Sequence, residues 1–103
     1  MIERANGTEL ATLFGILAAM RSARFNRPIV LTRHASQRMI ERQITPELLL
    51  QVIDEGQMRY SDDVRLWVWL DVPGRHDNLL CAVLVLEQAV IVKTVMHHWE
   101  LLP

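Results

Sequence analysis

A chain of 103 residues, half of them hydrophobic and 22% charged, has the length of one domain and lies outside the polar, highly charged class that stays disordered. Its net charge of −1 by itself argues against clinging to nucleic acid by bulk electrostatics. Its single cysteine, Cys81, excludes an intrachain disulfide and fits a reducing cytoplasm; no apolar run approaches the roughly 20 residues that span a bilayer, and no secretion signal is expected.

In chain order, Thr8 is placed to cap a first helix over Glu9 to Arg24, with Leu10, Leu13, Phe14 and Leu17 recurring at helical spacing. Pro28 stops helical propagation and sends Ile29, Val30 and Leu31 into an extended connection that can also pair as a short strand. Thr32 then caps a second helix opening at Arg33. At about 100° per residue, His34, Gln37, Arg38, Glu41 and Arg42 share one arc, and Ala35, Ser36, Met39, Ile40 and Ile44 share the opposite, buried one. Thr45 and Pro46 start a third helix in which Leu48, Leu49, Val52 and Ile53 bury one face and Asp54 and Glu55 stay wet. Gly56 is placed to end it in a left-handed conformation.

From Met58 the apolar period shortens to that of strands: Met58 to Ser61, Val64 to Val72, Leu79 to Leu86 and Ala89 to Met96. The fold class expected is α+β, with N-terminal helices packed on one face of a four-stranded antiparallel meander. Residues 1–28 form an added helical segment, 29–96 the helix-plus-sheet core and 97–103 a tail of one domain, 1–103. Cys81, inside an apolar run, is expected buried and unreactive. Trp67 and Trp69 share the strand side facing away from the helices. They either stack nucleobases or, more commonly for large aromatics, pack against Trp99 and the tail or against a second subunit as a homodimer contact. On the last strand, simple alternation puts Ile91, Lys93, Val95 and His97 on one face and Val90, Val92, Thr94 and Met96 on the other.

Charge is unevenly spread. Residues 1–46 hold seven arginines against three glutamates, a balance of +4, whereas residues 47–103 hold four basic against nine acidic residues, a balance of −5. Ten of the eleven basic residues are arginine, the side chain suited to bidentate phosphate contact, so an anionic partner such as RNA would meet the helical half. The ordinary alternative is a solvated helix face, which amphipathic helices usually carry.

The run TRHASQRMIERQITPELLLQVIDEG, followed by a strand-rich segment ending VIVKTV, resembles the bacterial domain of unknown function 4258 family, with its His-Ala-x-x-Arg-Met-x-x-Arg signature. That signature maps onto His34, Ala35, Arg38, Met39 and Arg42, and the threonine of the family's closing strand onto Thr94. The helix-then-sheet layout is in turn remotely similar to small ribonuclease toxins of the RelE, barnase and colicin type. The resemblance implies a metal-independent RNA-cleaving domain. His34 would act as base or acid, Arg38 and Arg42 would bind the scissile phosphate, Glu41 or His97 would supply the complementary proton, and Thr94 would orient. A small antitoxin-like protein would be a natural partner.

Two other readings compete. The strip formed by His34, Arg38 and Arg42 can hold an acidic partner segment in a non-catalytic, homodimerising binding or assembly module. Alternatively the strip is structural, with Arg38 and Arg42 bonding exposed strand carbonyls and Glu41 completing an ion pair. Catalysis further expects the strip to confront the sheet across a gap that admits an anion. Neither a metal nor another cofactor is expected, because adjacent residues His97 and His98 should point to opposite faces of a strand and no His or Cys spacing completes a tetrahedral set. His76, in a Gly-Arg-His-Asp-Asn loop, is expected in a solvated turn.

Overall fold

The structure, a computed structural model, describes residues 20–77 and 79–100. Thr8 and most of the expected first helix lie outside the described residues. The end of that helix is different from expectation: Arg21–Ser22 is a short strand, β1, followed by a turn and a second strand, β2, at Arg27–Leu31. Then come α1 (Arg33–Glu41), α2 (Pro46–Glu55), β3 (Gln57–Tyr60), β4 (Arg65–Asp71), β5 (Leu79–Leu86) and β6 (Val90–Trp99). The class is α+β as the patterning indicates, but the sheet has six strands in the order β1-β2-β6-β5-β4-β3.

The expected four-strand meander is present as β3 to β6. Its outer strand β6 gains a parallel neighbour, with Ile29, Val30 and Leu31 of β2 opposite Val90, Ile91 and Val92. Pro28, which supplies no N–H, pairs with Arg21 of β1 and lies before the first β2–β6 pair, so the ladder to β6 loses no donor. Segment 1–28 is therefore not purely helical, and the expected tail is partly strand, since β6 continues through Trp99.

Both helix starts follow the sequence. Thr32 accepts from Ala35 N–H at 3.1 Å, and Thr45 accepts from Leu48 N–H at 3.1 Å with Pro46 at the first helical position. Gly56 is a correction, because its φ of −70° is extended and not left-handed. Glycine is needed there for space: a Cβ would stand 2.5 Å from Val52 O and 2.6 Å from Trp69 O, both backbone atoms. Asp54 is also not simply wet, since it accepts from the Ser22 hydroxyl at 2.6 Å and from Ala23 N–H at 3.1 Å, tying the β1 turn to the end of α2.

One core joins Ala35 and Met39 of α1, Leu49, Val52 and Ile53 of α2, and the helix-facing residues Leu66, Val68, Leu80, Ala82 and Leu84. Ile40, assigned to the buried arc, is 45% exposed because it lies at the margin of a nine-residue helix whose contact narrows to Ala35, Ser36 and Met39. On the far side of the sheet Trp69 is buried, its ring centroid 5.3 Å from that of Trp99 and under the Arg59 guanidinium. Intrachain packing is thus the fate Trp69 meets. Cys81 is fully buried, and burial pushes its thiol pKa up to about 12.

Strict alternation fails on β6. Val83 opposes Thr94 while the next residue, Leu84, opposes Val92, so Lys93 is an extra residue and the ladder shifts register. Val90, Val92 and Val95 all reach the core as a result. Neither face expected from a period of two survives intact.

Candidate functional site

β2 stops at Leu31 while β6 runs on, which leaves the β6 edge beyond Val92 without a strand neighbour. Unpaired carbonyls on such an edge need donors, and the chain supplies them from α1. Thr32 N–H donates to Val92 O at 3.1 Å, the Thr32 hydroxyl donates to Lys93 O at 3.0 Å, and Arg42 Nη1 donates to Val95 O. The helix therefore lies directly along the strand, its start beside residues 92–94 and its end beside Val95. The gap expected between strip and sheet is closed by these bonds, which corrects that expectation, and His34 and Glu41 of the strip are exposed on the outer face of the helix.

At the start of α1, His34 Nε2 lies 3.0 Å from the Thr94 hydroxyl, in an exposed contact between residues sixty positions apart. The register shift at Lys93 is what brings Thr94 within reach of the helix. Thr32 satisfies the N–H of Ala35 through its side chain and that of Ser36 through its carbonyl, at 3.1 and 3.0 Å. The N–H groups of Arg33 and His34 have no intrahelical acceptor and lie at the positive end of the helix dipole. Arg33 and Lys93, both exposed, flank this corner.

The remaining candidates separate into distinct environments. Arg38 pairs with Glu41, three residues on, with side chains 37% and 55% exposed, so its cation stays accessible to a ligand. Arg42 is instead turned onto the strand carbonyl. His97 is brought to neither His34 nor Glu41 by any direct bond; its Nδ1 lies 3.3 Å from Asp77 Oδ2.

That contact exposes two residues the sequence did not single out, Arg75 and Asp77. Arg75 Nε lies 2.9 and 3.1 Å from the two Asp77 oxygens, and Nη2 adds a further bond to Oδ2. The same guanidinium donates to Gln43 O at 3.0 Å and to Arg42 O at 3.1 Å, closing the end of α1. Asp77 is buried, and the Arg75 guanidinium holds its carboxyl well below the usual carboxylate range against the cost of desolvation; Arg75 is correspondingly pushed up by Asp77. No spacing rule marks an aspartate in a turn as an anchor, which is why the 73–78 loop looked merely solvated. His76 in that loop is exposed, as expected.

The expectation for His97 and His98 also changes. His98 has a φ of 53°, and the two rings lie side by side with centroids 4.6 Å apart instead of on opposite faces. Among the described residues, no group of three or more His, Cys, Asp or Glu side chains is arranged to hold a metal ion. Nor is any described helix long and apolar enough to cross a membrane.

Residues 31–97 match the model of a family described as Domain of unknown function (DUF4258). No curated protein and no solved structure matches the chain significantly.

Proposed function

The chain belongs to the domain of unknown function 4258 family, whose description assigns no activity, and from the geometry at the start of α1 we propose that it cleaves RNA without the help of a metal ion. The observation that carries this reading is the exposed His34–Thr94 contact. In the tautomer whose Nε2–H donates to the Thr94 hydroxyl, the ring is held in one orientation and Nδ1 keeps its lone pair for proton abstraction. His34 Nδ1 takes the proton of a ribose 2′-hydroxyl, the 2′-oxygen attacks the adjacent phosphorus, and the bond to the 5′-oxygen breaks as that oxygen accepts a proton from a second group. The products are a 2′,3′-cyclic phosphate and a 5′-hydroxyl.

Charge on the phosphate is met by the Arg38 guanidinium, by Lys93 and by the outward N–H groups of Arg33 and His34. Glu41 keeps Arg38 extended along the helix while leaving it exposed. Arg42 takes the structural role, because its guanidinium is engaged by Val95 O. Clustering of basic charge in this half of the chain favours the encounter with RNA, and affinity falls as salt rises.

The test is incubation of the protein with an RNA oligonucleotide and its DNA counterpart in EDTA. Wild type cleaves only the RNA, and His34→Ala loses a factor of roughly 100 or more, the usual scale of general-base catalysis. Intact RNA with the wild type, or equal cleavage by the variant, removes the reading.

A further inference from the structure

We propose that His97 is the proton donor to the departing 5′-oxygen and that Asp77 is its positioning residue, an assignment that rests on the ribonuclease reading and deepens it. Of the described residues, the buried polar ones are Ser22, Ser36 and Asp77. Ser22 is bonded to Asp54 and Ser36 to Thr32 O. Asp77 is the buried carboxylate, and it reaches a histidine.

Its geometry fixes which nitrogen of that histidine can work. Arg75 grips both carboxylate oxygens while its other donors hold Gln43 O and Arg42 O, so the carboxylate cannot swing away. An ionised carboxylate only accepts, and therefore the atom facing Oδ2 at 3.3 Å must be Nδ1–H. Nε2 is left to gain and lose the mobile proton, and it makes no hydrogen bond with the described residues. This is the same division of labour by which a buried carboxylate sets the tautomer of a catalytic imidazole in hydrolases.

The backbone around His97 supports the arrangement. His98 adopts a left-handed φ of 53°, a backbone conformation unfavourable for a non-glycine residue, and its N–H donates to Asp77 O at 2.7 Å. The Asp77 backbone thus fixes the chain immediately after His97 while its side chain fixes the ring. Glu41, the other candidate donor, is engaged by Arg38 in solvent and lacks any such support. Thr94, the partner of His34, and His97 lie on the same strand three residues apart, roughly 10 Å along it. Both rings must reach the same nucleotide for this pairing to operate.

Leaving-group chemistry isolates the donor. A uridine 3′-phosphodiester with a p-nitrophenyl leaving group needs no proton on the departing oxygen, whereas RNA does. His97→Ala is expected to lose roughly 100-fold on RNA while staying within about threefold of wild type on the nitrophenyl ester, whereas His34→Ala fails on both. In Asp77→Asn, ¹⁵N shifts of the His97 ring should show loss of the Nδ1–H tautomer that wild type displays. Full RNA cleavage by His97→Ala, equal losses on both substrates, or a wild-type ring in the Nε2–H tautomer would overturn the assignment and leave the role of His34 standing. A wild type inactive on both substrates sinks both.

Discussion

Replacing Arg42 by methionine keeps most of the apolar stem and deletes the guanidinium that donates to Val95 O. The carbonyl lies on the β6 edge past the end of β2, so no strand replaces the lost donor. A hydrogen bond from a charged group is worth roughly 1.5–3 kcal/mol, and partial burial of this one puts the loss at about 2 kcal/mol. In a domain of this size each kcal/mol moves Tm by roughly 4–8 °C, so Arg42→Met should melt about 8–16 °C below wild type. Arg38 is the control: its ion pair with Glu41 has side chains 37% and 55% exposed, and Arg38→Ala should cost no more than about 0.5 kcal/mol, or a few degrees. Thermal unfolding followed by circular dichroism decides between them, and RNA affinity should show the reverse order, with Arg38→Ala the weaker binder. Equal melting temperatures for Arg42→Met and wild type would refute the edge-capping role, as would a larger loss in Arg38→Ala.

Two further outcomes follow from buried groups. The Asp77 carboxyl is held below its unfolded value, so it stabilises the fold above the ordinary carboxylate range near pH 4, and that contribution disappears as pH falls below it. Urea midpoints measured from pH 6 to pH 2 should therefore drop steeply in wild type, whereas Asp77→Asn, destabilised by about 3 kcal/mol at pH 7 through the broken pair with Arg75, should show a shallower acid loss; parallel curves would contradict this. Cys81, whose thiol burial pushes up to about 12, should resist a disulfide reagent at pH 8 until urea unfolds the chain, and labelling of the native protein at the rate of a free cysteine would contradict it.

Much of this was legible because it is local. The caps at Thr32 and Thr45, the proline at the first position of α2 and the eight-residue run of β5 are set by neighbouring residues and appear where the sequence put them. The contact of His34 with Thr94 joins two residues that the sequence singles out, although spacing alone left the inward face of β6 undecided. What was not legible is non-local. The parallel pairing of β2 depends on β6, sixty residues later, and the register shift at Lys93 cannot be seen in a pattern of alternating valines. Likewise the role of Arg42 is set by where β2 ends, and that of Asp77 by His97, twenty residues later, and by the Arg42 and Gln43 carbonyls that hold its neighbour Arg75. Gly56 shows the same limit in small form: its position after α2 suggested a left-handed cap, but the approach of Trp69 O dictates the residue.

The most direct measurement uses a DNA oligonucleotide carrying one ribonucleotide, incubated with the wild-type protein in EDTA and resolved by mass spectrometry. His34 acting on a 2′-hydroxyl yields a single cut at that nucleotide, with a 2′,3′-cyclic phosphate on one fragment and a 5′-hydroxyl on the other, and no cut with His34→Ala. An intact oligonucleotide, or fragments ending in a 3′-hydroxyl and a 5′-phosphate, would contradict it.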